Sequence, residues 1–191
     1  QEGVLNGFFS YSEITKQKIL TQLDKGCKLP VVSKEYAVDT EGRYNVADMI
    51  TGYGVAESIR HYCEIFQKNN LDGKRCLIQG WGNVASAAAF YLARQGAKIV
   101  GILDRNFSLV SENGFSLEEI VHLFLNKKGN QLNHASMVPN HELLSTIWDN
   151  SFDIFVPAAA SRIVHFEEVN RMINKGLDLV SCGANVPFLE D

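Results

Sequence analysis

The stretch Gln79-Gly80-Trp81-Gly82-Asn83-Val84-Ala85 narrows what this chain can fold into. It follows an apolar run, Arg75-Cys-Leu-Ile-Gln79, and precedes a helical pattern in which Ala88 and Tyr91/Leu92 recur on one face. Gly96 stops that pattern, and a second apolar run, Lys98 to Leu103, ends at Asp104. Strand, glycine turn, helix and strand within about 30 residues make one βαβ unit. Such a unit requires parallel strands, and parallel strands are buried on both faces. The expected architecture is therefore α/β: a Rossmann-like, doubly wound, mostly parallel sheet with helices on both faces.

Each position of the turn has a physical reason. Gly80 lets the chain leave the strand sharply. Gly82 has no Cβ, so a pyrophosphate can approach the backbone. Ala85 is small enough for helix and strand to pack closely. The N–H groups of Asn83 and Val84 face the bound anion, aided by the helix dipole. The spacing is G-x-G-x-x-G/A, and Asp104 stands where a dinucleotide site needs an acid for the ribose hydroxyls. An ordinary α/β turn that happens to use glycines is the plain alternative. The Asp104 carboxylate repels a 2′-phosphate, so charge favours NAD over NADP. Arg105 begins a loop and can pair with that phosphate, which offsets part of the repulsion.

The rest of the chain bounds the reading. With 191 residues and 46% hydrophobic content, one cored domain with an appendage is expected. The net charge of −4 gives no broad pull toward nucleic acid. No apolar run is long enough for a membrane span, and Gln1-Glu-Gly-Val-Leu5 lacks the pattern of a signal peptide. Cys27, Cys63, Cys76 and Cys182 are far apart, which suits reduced thiols of a cytoplasmic protein. His61, His122, His134, His141 and His165 show no metal spacing.

Taken in order, residues 1–45 read as a helix from Tyr11 to Leu23, ended by Gly26, and an extended Leu29-Pro-Val-Val-Ser33. The helix carries an imperfect apolar face of Ile14, Ile19, Leu20 and Leu23, and Asp39 to Asn45 is turn-like. This lead-in is expected to pack on a main domain spanning residues 46–191. Thr51-Gly-Tyr-Gly-Val55 opens a helix to about Lys68, with Thr51 as its N-cap and Val55, Ile59, Tyr62/Cys63 and Phe66 buried. Phe107 to Val110 with Asn113-Gly114 reads as a small hairpin or loop excursion. Ser116-Leu-Glu-Glu119 is a capping box, starting a helix with Leu117, Ile120, Val121 and Phe124 inward. Gly129 to Asn140 reads as a loop and His141 to Ile147 as a short helix. Phe152 to Val156 is a strand, Phe166 to Asn174 a helix and Leu177 to Val180 a strand. Both strands end in small-residue loops, at the edge where open parallel sheets bind ligands.

Thr51-Gly-Tyr-Gly-Val55, Ile78-Gln-Gly-Trp-Gly-Asn-Val84, Asp153-Ile-Phe-Val-Pro-Ala-Ala159 and Gly183-Ala-Asn185 occur in the order and spacing of a known domain. Together they resemble the nucleotide-binding domain of the glutamate/leucine/phenylalanine/valine dehydrogenase family, its glutamate dehydrogenase branch nearest. Leu29 to Ser33 looks like the strand preceding that domain, and Ser111 to Phe115 like the loop after its second strand. The resemblance covers roughly residues 29–189. It implies oxidative deamination of an amino acid, with hydride passed to a nicotinamide dinucleotide in a cleft between two domains. By this resemblance Thr51 and Asn185 hold the nicotinamide end, Ala158 and Ala159 line its pocket, and Gly80, Gly82, Asn83 and Val84 hold the pyrophosphate. Trp81 belongs to the same turn. Each also has a plain alternative: Thr51 as a helix cap, Asn185 as a turn residue, Ala158 and Ala159 as a strand end.

The departures from that family shape the expectation. The family's glycine-rich lysine motif and its aspartate partner, which belong to a substrate domain, are absent from this sequence. The family's final strand and closing helix are absent too. Gly42-Arg43 to Thr51 is longer than usual, and Trp81 and Ala85 replace a more usual phenylalanine and glycine. The reading is half an enzyme, cut down or naturally short. It binds NAD, and acts on an amino acid or 2-oxo acid only with a substrate domain. No catalytic or metal-binding residue is assigned within the chain, and a homo-oligomer is compatible with the reading. The alternative is a non-catalytic dinucleotide-binding or interaction module of the same descent.

Overall fold

A computed structural model describes residues 12–189. Tyr11 and the stretch Gln1 to Leu5 lie outside the described residues. The chain forms two compact units, Gln1–Ala47 and Asp48–Asp191.

In the first unit, helix α1 (Glu13–Cys27) is capped by Ser12, whose Oγ accepts the Thr15 N–H at 3.3 Å. The helix runs through Gly26, the expected stop, and ends when the Lys28 N–H donates to Asp24 O at 3.1 Å. None of its residues is buried, so the expected apolar face does not become core: Ile14 is 73% exposed. Pro30 then bridges Asn45 in antiparallel fashion, the only pairing of the expected extended segment. Gly42, at φ 72°, turns the chain between them.

The second unit opens on α2 (Val46–Tyr62) and continues through a π-helical turn, Cys63–Gln67. The helix starts before Thr51, so Thr51 sits inside it and caps nothing. Met49, Val55, Ile59 and Cys63 are buried, whereas Phe66, expected inward, is 72% exposed. The wider π turn shifts the phase of the residues that follow it.

The sheet has six strands in the order β4-β3-β2-β1-β5-β6. β1 (Arg75–Gln79) lies at its centre, parallel to both β2 (Lys98–Leu103) and β5 (Ile154–Pro157). β6 (Leu179–Val180) extends the parallel part beyond β5. These four strands were the ones readable as apolar runs, and they form one parallel set. β3 (Phe107–Phe115) departs from the expected hairpin. It is one nine-residue strand, antiparallel to β2, and it absorbs Ser111 to Phe115. A register shift opposite Ile99 and Gly101, and Gly114 at φ 82°, let it pass the turn-like Asn113-Gly114. β4 (Val138–Pro139) pairs antiparallel with β3 inside the stretch expected to be loop.

Helices cover both faces. On one side α3 (Asn83–Arg94) packs on β1 and β2, and α4 (Leu117–Leu125) packs on α3. The Phe90 and Phe124 rings meet edge-on, 6.4 Å apart, in that second contact. The Ser116/Glu119 capping box forms as expected. Ile120, Leu123 and Phe124 are buried, but Leu117 is 40% exposed and Val121 half-buried. On the other side α5 (Asn140–Ile147) and α6 (Phe166–Asn174) close a core around Leu77, Trp148, Phe155 and Met172.

Candidate functional site

β1 connects to β2 on one side, while β5 pairs with it on the other. The carboxyl ends of these strands therefore part at Gly80, the switch point where open α/β sheets bind ligands. A cleft of about 730 Å3 opens there. It falls within the usual range of small-molecule and cofactor sites, about 300–1,000 Å3.

The strand ends are stitched together by backbone. The Gly80 N–H donates to Leu103 O at 2.6 Å, and the Ala158 N–H to Gln79 O at 2.8 Å. Gly80 adopts φ 100°, and a Cβ there would lie 2.9 Å from Ala158 O and Ala159 Cα. Both facts require glycine. Gly183 makes a third close approach: its Cβ would lie 2.7 Å from Ala158 Cβ and 2.9 Å from Val84 Cγ1. The loop after β6 thus touches the loop after β5 and the first turn of α3.

Gly82 is the N-cap of α3, and a Cβ added there meets nothing within 4 Å. The side of the turn that a ligand would use is open. The first intrahelical bond runs from the Ser86 N–H to Gly82 O, 3.0 Å. The N–H groups of Asn83, Val84 and Ala85 precede it and have no acceptor within the helix. With the helix dipole they form an anion-binding end.

Of the residues singled out in the sequence, Gly80, Trp81, Gly82, Asp104, Arg105, Ala158 and Ala159 line the cleft. Trp81 is wholly buried and its Nε1–H donates to Leu123 O at 3.2 Å, so backbone is what it lends to the cleft. Its indole anchors the glycine turn to α4. Asp104 Oδ2 accepts the Leu132 N–H at 2.7 Å, and its backbone O accepts Asn140 Nδ2–H at 2.7 Å. Arg105 is exposed beside it. Thr51, Asn83, Val84 and Asn185 are not in the cleft lining. Thr51 and Asn185 are exposed.

Several side-chain ties and wall residues at the site were not legible as such in the sequence. Asn83 is held from both sides: its Nδ2–H donates to Asp48 Oδ1 at 2.7 Å, and its Oδ1 accepts from Lys127 Nζ at 3.0 Å. Lys127 also donates to Ser86 Oγ at 2.9 Å and lies 4.3 Å from the Phe124 ring centre. Burial lowers its pKa from 10.5 to about 8, against an upward pull from Asp48. The sequence marks Lys127 as the end of a helix and nothing more. A tight turn, Lys128 to Gln131, carries Gly129 at φ 56° and Asn130 at φ 59° and forms part of the cleft wall. Gln79 lines the cleft as well, and its signal is a polar residue closing an otherwise apolar strand.

The arrangement suits a long ligand with an anionic centre: amide donors at the middle, a carboxylate at one end and small side chains at the other.

Comparison with known proteins gives the same family. Residues 42–191 match the family model described as Glutamate/Leucine/Phenylalanine/Valine dehydrogenase. The chain is 32% identical over 143 residues to an NADP-specific glutamate dehydrogenase of Saccharolobus shibatae, covering 74% of this chain and 32% of that protein. It is 34% identical over 148 residues to a glutamate dehydrogenase of Aeropyrum pernix, covering 76% and 33%. A solved glutamate dehydrogenase structure superposes with a TM-score of 0.63 at 24% identity, covering 75% of this chain and 33% of that one. The chain spans about a third of the length of the curated relatives it matches.

Proposed function

The chain belongs to the glutamate/leucine/phenylalanine/valine dehydrogenase family, and we propose that it forms the nicotinamide-dinucleotide-binding part of an amino-acid dehydrogenase of the glutamate dehydrogenase type. The observation that carries this reading is the open glycine turn at the head of α3, set at the switch point of the sheet with Asp104 and Ala158 on either side. Residues 46–191 are the dinucleotide-binding domain in this reading.

The residues present fit such a cofactor. The backbone at Gly80 and Gly82 lets the pyrophosphate approach, and the N–H groups of Asn83 and Val84 neutralise it. The free oxygen of Asp104 takes a ribose hydroxyl. Ala158 and Ala159 leave room for a flat ring, with Thr51 and Asn185 at its amide end. The Gly183 contact ties the Asn185 loop to Ala158 and Val84, which is the support for Asn185. When bound, the cofactor accepts a hydride from the amino acid. The residues that bind and deprotonate that amino acid are assigned to the part of the relatives' length this chain does not span.

The choice between NAD and NADP has two readings. Asp104 favours NAD by charge. NADP is favoured by the relatives, of which the Saccharolobus shibatae protein is called NADP-specific. The Asp104 geometry limits the case for NAD, because one carboxylate oxygen already serves Leu132 and one is left for the ribose. Calorimetric titration of the chain with each cofactor is the test. Micromolar to submillimolar binding of either supports the reading, and the ratio decides between the two forms. No binding of either at millimolar concentration overturns it. Amino-acid-dependent reduction of the cofactor by a longer form, without turnover by this chain alone, is the expected activity result.

A further inference from the structure

Gln79 is a polar residue without a task in the folded chain. It ends β1, whose Cys76, Leu77 and Ile78 are wholly buried, and it is itself 9% exposed. Its Oε1 has no hydrogen-bond partner among the described residues. Gln67 and Gln95 also carry an unpartnered Oε1, but their amide nitrogens are engaged: Gln67 donates to Asp178, and Gln95 to Glu57 at 2.9 Å. No bond of either kind holds the Gln79 side chain among the described residues. A buried polar atom left unpaired destabilises a fold, and such atoms in a folded protein call for an explanation. Gln79 is a residue of the cleft wall.

We propose that the Gln79 side-chain amide is a ligand-reading group of the cleft, accepting a hydrogen bond from a hydroxyl of the adenosine ribose. The inference rests on the dinucleotide reading above and deepens it. Strand alternation puts Gln79 on the Leu77 face of the sheet, the face closed by α5 and α6. There Leu144 and Ile163 line the cleft beside it. The orphaned atom is an acceptor, so its partner must present a donor. A ribose hydroxyl both donates and accepts, which matches an amide. Gln79 pairs across the sheet with Leu103, the residue before Asp104. Neighbouring strands lie about 4.8 Å apart. Gln79 and Asp104 both line the cleft, and a ribose between them gives the amide and the acid a hydroxyl each.

Titration of the full chain with ADP, 2′-deoxy-ADP and 3′-deoxy-ADP tests this, together with NAD or NADP, whichever binds. The variants are Gln79→Leu and the unbranched Gln79→Met, each checked by thermal melting. Both should melt at or above the temperature of the unsubstituted chain, because an unpaired buried amide has been removed. Both should bind ADP and the dinucleotide about tenfold more weakly. In the unsubstituted chain, loss of one hydroxyl should weaken ADP by a similar factor, and in the variants the same loss should cost nothing more. Unchanged ADP affinity in a folded variant, or a hydroxyl penalty equal in all three proteins, overturns the proposal. A penalty that instead follows removal of the adenine amino group overturns the ribose assignment. If the unsubstituted chain binds neither dinucleotide nor ADP, it is the dinucleotide reading that fails.

Discussion

Asp104 holds Leu132: the carboxylate Oδ2 accepts the backbone N–H at 2.7 Å, across a gap of sequence that includes β3 and α4. The acid that should read the ribose is thus also the anchor of the loop beside it. Asp104→Ser should lower protection of the Leu132 amide in hydrogen exchange. By removing the charge that faces a 2′-phosphate, it should also shift the ratio of NAD to NADP affinity toward NADP by about tenfold, the equivalent of about 1.4 kcal/mol. A variant that loosens the loop and leaves the ratio untouched would mean that Asp104 anchors and does not select.

The two glycines of the turn should separate fold from binding. At Gly82 a side chain meets open space, so Gly82→Val should keep its melting temperature. It should weaken dinucleotide binding at least tenfold by filling the space of the phosphate. At Gly80 the backbone is at φ 100° and the strand ends stand within 2.9 Å of the new Cβ. Gly80→Ala should lose about 1–3 kcal/mol of stability. Chemical denaturation and calorimetry on the same preparations check both outcomes, and equal stability loss in the two variants would contradict the geometry.

Lys127 gives the fold a pH dependence on the alkaline side. Its folded pKa, about 8, lies below its ordinary 10.5. Between those values the unfolded chain binds the extra proton, so raising the pH through that window stabilises the folded form. The penalty for holding the ammonium is complete below the folded value and relieved above it. Urea unfolding of the unsubstituted chain and of Lys127→Met, at pH 7.5 and pH 10, isolates the effect as a difference. The unsubstituted chain should gain on the variant as the pH rises. Parallel profiles would show that Lys127 keeps its proton as easily in the fold as outside it.

Thiol reactivity should divide the cysteines two and two. Cys27 and Cys182 are exposed, while Cys63 and Cys76 are buried. Burial pushes the Cys63, Cys76 and Cys182 thiols above their ordinary range, which suppresses the reactive thiolate, so accessibility is what separates Cys182 from the buried pair. Alkylation followed by mass mapping should find Cys27 and Cys182 modified in the native chain. Cys63 and Cys76 should follow only at the global unfolding rate. Rapid native labelling of Cys76 would contradict a closed centre of the sheet.

Legibility in the sequence followed how local the cause was. β1 and β2 are apolar runs between turn residues, and α6 has a capping box formed by His165 and Glu168; all three could be read from neighbours in the chain. β3 could not, because pairing with β2 overrides the turn preference of Asn113-Gly114. The outward Phe66 follows from a π turn that no spacing reveals. At the site, the backbone parts were legible because glycine is required by backbone geometry. The side-chain ties, Asn83 to Asp48 and Lys127 and Asp104 to Leu132, were not, since each joins elements far apart in sequence.

The short outer strands carry a consequence for self-association. β4 and β6 have two residues each, and one of the β4 pair is Pro139, which has no N–H to offer. A long free sheet margin is a template on which another chain can add a strand, and brief, proline-bearing margins remove it. The ligand cleft needs a sheet whose strand ends stay accessible. Among the described residues this sheet keeps those ends open and offers a neighbour only two residues along β6, so the outer edge of β3 beyond the two residues that β4 covers, Leu109 to Phe115, is the longer stretch of backbone left to copy.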